Sequence, residues 1–234
     1  MNGGPPRVRF GIGGLDRMLC GGLLKKSICT IIGTYGTGKT TFSLYFTHEG
    51  LKNGEKVIFI SLDEREEMLY QDMAQKGWDV ETVRNTSLFV IKLDPTDFTL
   101  SINHLKNELP QLIQKVGASR VVIDPISLFE GLFSDEAARR KELFRFIEIM
   151  RDEECTLILT SETKENSSYA SKYALVEYMA DTVILLRYVR PTKLAEVHPA
   201  VEVAKMRGSD HSRGIKPYEL LKDQVQVYFE ANVF

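Results

Sequence analysis

Eight residues constrain this chain more than any others: Gly33-Thr34-Tyr35-Gly36-Thr37-Gly38-Lys39-Thr40. They read GxxxxGK[ST], and average residue usage makes a chance match in a chain this long about a 1% event. The flanks suit the motif. Ser27–Ile32 is short, apolar and β-branched, as a buried strand is. Lys39–Asn53 is expected to be an amphipathic helix that stops at Asn53-Gly54. In a strand–loop–helix of this kind, glycines let the backbone curl until successive N–H groups point at phosphate oxygens. The helix N-terminus adds positive potential. Lys39 is expected to reach the β- and γ-phosphates, and the Thr40 hydroxyl to ligate Mg²⁺.

The rest of the chain alternates strand and helix. Val57–Leu62, Leu88–Leu93, Arg120–Asp124, Thr156–Ser161 and Thr182–Leu186 read as further buried parallel strands. Glu66–Lys76 reads as a helix. Ile102–Val116 reads as another, with Leu105, Leu109, Leu112, Ile113 and Val116 on one face and a kink or restart at Pro110. Asp135–Glu154 follows the N-cap candidate Ser134 and carries Leu143, Phe146, Ile147 and Met150 as its stripe. After residue 186 the pattern changes to Pro199–Met206, Tyr218–Leu221 and Val225–Tyr228. These are expected to be antiparallel strands extending one sheet edge. The expected fold is α/β, a mostly parallel central sheet flanked by helices with antiparallel C-terminal strands. Nothing resembles a linker or a repeat, so residues 1–234 are read as one domain.

Composition narrows the function. Thirty Lys+Arg against 32 Asp+Glu give a net charge of −2, with no basic block. That argues against dependence on bulk phosphate attraction to hold duplex DNA. No apolar run approaches the ~20 residues needed to span a bilayer, so no membrane partner is expected. Met1–Arg9 lacks the apolar region of a signal peptide. Cys20, Cys29 and Cys155 show no CxxC spacing and are expected to be buried or partly buried thiols in a cytoplasmic protein. His48, His104 and His198 lack mutual metal-ligand spacing, and Trp78 reads as core or interface.

Two carboxylate positions belong with the phosphate loop. Asp124 closes an apolar strand at the edge where open α/β sheets bind ligands. It is expected to orient the water shell of Mg²⁺. Ser61-Leu62-Asp63-Glu64-Arg65-Glu66-Glu67 follows another strand. Asp63 or Glu64 would face the same edge as a base or water-positioning group, while Glu66 and Glu67 suit the N-terminus of the next helix.

The motifs together resemble the KaiC family of RecA-like P-loop ATPases, in its single-domain archaeal or bacterial type. Phe10–Leu23 resembles the family's lead-in, and Gly33–Thr41 its phosphate loop, which adds Thr41 to the nucleotide-binding set. Phe59–Glu64 resembles a strand ending in a Glu-Glu pair, and Gly77-Trp78-Asp79 a recurrent G-W-[DN]. Val176–Leu186 resembles the late helix and strand. Lys205-Met206-Arg207-Gly208-Ser209-Asp210-His211-Ser212 resembles K-[ML]-R-G-[ST]-x-H-[SM]. The likeness covers about residues 7–230.

The resemblance implies a homo-oligomeric ring, six subunits in the family, that binds ATP or ADP with Mg²⁺ between neighbours. Lys205 and Arg207 would then act on the adjacent subunit's γ-phosphate, with Ser209 and His211 lining that interface. Thr160-Ser161-Glu162 ends the strand after that of Asp124, at the position that senses the γ-phosphate in the family, and Ser161 joins the nucleotide-binding set. The loop Lys164–Lys172, with Asn166, Ser167, Ser168 and Ser171, resembles the segment facing the central hole. One residue departs from the family: Asp63 stands where the first Glu is expected. Either Glu64 is the main base, or a water bridges from Asp63, or hydrolysis is slow. Alternatives to a ring ATPase are an ATP-sensing assembly module, a DNA recombination accessory protein of the RecA/RadA-paralogue kind and, least favoured, an autokinase.

Overall fold

The computed structural model describes residues 4–94, 103–164, 167, 169–190, 196–231 and 233. A small antiparallel pair, β1 (Arg7–Val8) and β2 (Leu23–Leu24), brackets helix α1 (Gly13–Met18). The main sheet then builds from β3 (Ile28–Gly33), β4 (Val57–Ser61), β5 (Leu88–Lys92), β6 (Arg120–Asp124), β7 (Thr156–Glu162) and β8 (Thr182–Val189). All six run parallel. The antiparallel strands β9 (His198–Met206), β10 (Lys216–Leu220) and β11 (Val225–Val227) extend it past β8. The order is β11-β10-β9-β8-β3-β7-β6-β4-β5. The sheet is thus mostly parallel with antiparallel C-terminal strands, as expected.

The parallel strands are apolar on both faces because both faces are covered. Side chains alternate across the pleat: Cys29 and Ile31 enter one apolar layer, Ile28 and Ile32 the other. The first layer holds Phe10, Phe42, Phe46 and Tyr218; the second holds Phe129, Phe146 and the buried stripe Leu143, Ile147 and Met150. That stripe belongs to α6 (Glu136–Asp152), preceded by α3 (Glu66–Gln75), α4 (Leu109–Val116) and α5 (Ile126–Gly131).

Three local expectations are corrected, and the one at Pro110 is refined. The N-cap of α6 is Asp135, not Ser134: its carboxylate accepts from Ala138 N at 2.6 Å, and Asp135 has the extended backbone a cap needs. The helix α2 (Lys39–Lys52) is not amphipathic. Phe42 to Thr47 are all buried, because the sheet covers one side and Phe10, Tyr218 and the β10–β11 turn cover the other. At Pro110 the chain does not restart: the backbone stays right-handed helical through Glu108 and Leu109. A π-helical stretch, His104–Glu108, gives way to α4 with the proline in its first turn, where no N–H is required; Ile102 lies outside the described residues. Cys20 is exposed, while Cys29 and Cys155 are buried.

Candidate nucleotide-binding site

The phosphate-loop residues sit between β3 and α2, as the motif requires. Gly36 and Gly38 have φ of 75° and 83°, backbone that side chains rarely adopt. A Cβ on Gly38 would also lie 2.8 Å from Leu220. Thr37 braces the curl by donating to Thr34 O at 2.8 Å. Thr41 follows Thr40 in the first turn of α2. Lys39 Nζ lies 3.0 Å from both Gly33 O and Thr34 O, folded over the loop it belongs to. Burial pushes its pKa down, while the carboxylates of Asp124 and Glu162 push it up.

Asp124 ends β6 beside the loop. Thr40 Oγ1 donates to its Oδ2 at 2.7 Å, and Thr160 Oγ1 donates to its Oδ1. Burial pushes the Asp124 pKa up; the two hydroxyls and Lys39 oppose that, and Asp63 adds to it. A carboxylate and a hydroxyl side by side are hard oxygen donors of the kind Mg²⁺ takes from protein while phosphates and water supply the rest. The donor set fits that ion. Among the described residues no group of three or more His, Cys, Asp or Glu could hold a metal, and Mg²⁺ bound with phosphates does not need one.

Asp63 and Glu64 follow β4 by two and three residues. Ser61 Oγ donates to Glu64 O at 2.7 Å, tightening the turn. Asp63 is exposed and Glu64 half-buried. Burial, then the charges of Asp124, Asp72 and Asp63, raise the Glu64 pKa. A base is most useful when its pKa approaches the working pH, and the raised Glu64 pKa moves in that direction. Ser161 lies near the end of β7, in register with Ile32 beside the loop, and is buried with its hydroxyl on Glu162 O.

Strand register separates the remaining candidates from this group. Gly33 pairs with Leu186 on β8, whereas Thr182, at the start of β8, pairs with Met206 at the end of β9. Met206 therefore stands level with Cys29, four residues before Gly33, or about 13 Å along the strand. Lys205, Arg207, Ser209 and His211 lie at the edge of the sheet opposite the phosphate loop. Lys205 Nζ donates to the carbonyls of Glu177, Tyr178 and Ala180. Arg207 donates to Tyr178 O at 3.2 Å and pairs with Asp181, yet its side chain stays 56% exposed. Ser209 accepts from Arg7 Nη2. Of the loop Lys164–Lys172, Asn166 and Ser168 lie outside the described residues. Ser167 caps a turn, with its Oγ accepting from Ala170 N at 3.2 Å, and Ser171 is buried.

Two supports of the site carry no motif. Tyr218 on β10 reaches across to donate to Thr37 O at 2.6 Å, and Thr160 holds Asp124 from the neighbouring strand. Tyr218 sits in a strand whose pattern reports only burial. Thr160 lies in the Thr160-Ser161-Glu162 segment that the resemblance marks, but its bond to Asp124 has no signature in the sequence.

Comparison with known proteins gives the family and the fold. A family model described as "ATPase: KaiC" matches residues 8–232. The circadian clock protein KaiC3 of Synechocystis sp. is 29% identical over 93% of this chain and 44% of its own length. The circadian clock oscillator protein KaiC of Prochlorococcus marinus subsp. pastoris is 30% identical over 95% of this chain and 45% of its own. The chain thus spans about half the length of these relatives. Among solved structures, a KaiC-like protein from the archaeon Pyrococcus horikoshii OT3 superposes with a TM-score of 0.83 at 28% identity. The match covers 96% of this chain and all of that one.

Proposed function

The chain belongs to the KaiC family of ATPases, and from that premise we propose that it is a Mg²⁺-dependent ATP hydrolase working as a homo-oligomeric ring. Residues 1–234 would form one RecA-like ATPase domain, placed in the cytoplasm, six to a ring, with assembly as its signalling or scaffold output. The observation that carries this reading is the split across the sheet. The phosphate loop, Asp124 and Glu64 gather at the carboxyl edge, while the exposed Arg207 and neighbouring Lys205 lie about 13 Å away along the strands at the other edge. In their own subunit they are on the wrong edge. In a head-to-tail ring each would meet the next subunit's ATP.

The division of labour follows from the side chains. The loop N–H groups and Lys39 hold the phosphates. Glu64 takes a proton from the attacking water, with Asp63 charging the entrance. Arg207 and Lys205 of the adjacent subunit face the charge that develops on the γ-phosphate, with Ser209 and His211 flanking them and Ser161 beside the same phosphate. Thr40 and Asp124 would hold Mg²⁺, which when bound neutralises phosphate charge. Size-exclusion chromatography with light scattering, with and without ATP–Mg²⁺, on wild type and Arg207→Ala tests the assembly. A ring-sized wild type is expected, with phosphate release lost in Arg207→Ala when the same samples are assayed; a wild type that stays monomeric throughout rejects the reading.

One observation favours nucleic acid as a second partner: Arg139, Arg140, Lys164 and Lys172 line one cavity of about 560 Å³. Two of them are already engaged, Arg139 with the carbonyls of Glu130 and Phe133 and Lys172 with Glu162. Single-stranded DNA binding that strengthens with ATP at moderate salt would revive that reading.

A further inference from the structure

Lys205 and Arg207 are not loose on the surface. Both are seated on α7 (Val176–Met179), and the chain of contacts does not stop there. The Lys205 ammonium has three donors, and the structure gives it three carbonyls: Glu177 O at 2.9 Å, Tyr178 O at 3.4 Å and Ala180 O at 2.6 Å. Arg207 shares Tyr178 O, and its backbone N–H donates to Asp181 O at 2.9 Å. These carbonyls lie at the C-terminal end of the helix, where partial negative charge favours cations.

The carboxylate of Glu177 faces the other way, into the segment that returns from the nucleotide edge. Its Oε1 accepts from Ser171 N at 3.2 Å and its Oε2 accepts from the Ser171 hydroxyl. Ser171 is fully buried, and the same hydroxyl accepts from Leu175 N at 3.3 Å. Next to it, Lys172 pairs at 2.7 Å with Glu162, the last residue of β7. Glu177 therefore touches both sides. Its main-chain oxygen seats a cation offered to the neighbour, and its side chain fixes the segment that follows its own subunit's Ser161.

We propose that Glu177 is a positioning residue for the trans-acting cations: by pinning α7 to Ser171 it sets where Lys205 and Arg207 stand for the next subunit's ATP. The inference rests on the interfacial ATPase reading above. Its physical basis is preorganisation. A cation helps the transition state most when it is already in place and needs no rearrangement at the moment of reaction. Without the carboxylate, α7 loses both bonds to Ser171 and keeps the buried Val176 and the Arg151 bond to Met179 O, so the carbonyls under Lys205 and Arg207 are held from one side only.

The test is complementation between subunits. Glu177→Ala rings are expected to keep the wild-type mass by light scattering and wild-type affinity for a fluorescent ATP analogue, while turnover falls about tenfold. Glu64→Gln subunits cannot hydrolyse but still present intact cations. Co-assembled one to one, half the sites are Glu177→Ala, and half of those receive intact cations. Turnover should then recover to roughly a quarter of the wild-type rate, well above either variant alone. Arg207→Ala mixed with Glu64→Gln is the control. Recovery in the control but not with Glu177→Ala overturns the role of Glu177 and leaves the interface standing. No recovery in the control overturns both. Ser171→Ala probes the same contact from its other side, and Glu177→Gln, which keeps an acceptor, should retain most turnover. If Glu177→Ala fails to assemble, a Ser171→Ala ring with full wild-type turnover overturns the proposal.

Discussion

Replacing Glu64 by Gln removes the one carboxylate in the turn after β4 that is both half-buried and close to Asp124. A positioned general base contributes about 10²–10⁴ in rate, equivalent to about 2.7–5.4 kcal/mol of barrier. Glu64→Gln should therefore lower turnover by about two to four orders of magnitude with little change in ATP affinity, since the phosphate loop is untouched. Asp63→Asn should act differently. Asp63 is exposed, and its charge helps to raise the Glu64 pKa. A base works when ionised, so turnover falls as pH drops through its pKa, and that acid limb lies above the ordinary Glu value of 4.5. Removing the Asp63 charge lets the Glu64 pKa fall, so the limb moves to lower pH while the plateau rate changes less than tenfold. A pH–rate profile of the wild type and both variants, from a phosphate-release assay, reads all three quantities. Wild-type turnover in Glu64→Gln, or a limb that moves to higher pH in Asp63→Asn, would refute the assignment.

Other perturbations follow from the same geometry. Tyr218→Phe leaves Thr37 O without its buried donor, a cost of about 1–3 kcal/mol; weaker ATP binding with the helical circular dichroism preserved is expected, and unchanged affinity would remove Tyr218 from the site. Thr160→Val takes one of the two hydroxyls from Asp124, so the carboxyl pKa should rise further and half-maximal turnover should require more Mg²⁺; an unaltered Mg²⁺ titration contradicts this. Glu130 is fully buried, with neither carboxylate oxygen hydrogen-bonded, and burial beside Glu177 pushes its pKa up to about 8. A raised carboxyl pKa means the folded state holds a proton that the unfolded state has lost, so this group costs stability as pH rises from 4.5 towards 8. Glu130→Gln should therefore stabilise the protein by about 3 kcal/mol at pH 7 and by little at pH 4.5, as urea denaturation at the two pH values would read.

Much of the site was legible because its chemistry is local in sequence. Arg120–Asp124 falls at the expected bounds and the strand before the phosphate loop within one residue of them, since a buried parallel strand is a continuous apolar run and the ligand edge lies at its C-terminal end. Helix ends were harder. Ser134 and Asp135 are both good caps by residue type, and only the bond from Ala138 N to the Asp135 carboxylate separates them. The burial of α2 on all sides escaped a reading by periodicity, because what covers its outer face, Phe10 and Tyr218, comes from both ends of the chain. Thr160 and Tyr218 each touch the site through one contact, to a residue distant in sequence or to a backbone atom, and neither leaves a spacing to find. The placement of Lys205 and Arg207 opposite the loop needed the β8–β9 register, which apolar patterns do not specify.

If each ATP is completed by a neighbouring subunit, ATP turnover per subunit must depend on protein concentration. Cations supplied in trans predict a rate that climbs with concentration and levels off where light scattering shows rings filled, with Arg207→Ala flat and low throughout. A per-subunit rate that is constant down to concentrations where the protein is monomeric would contradict it.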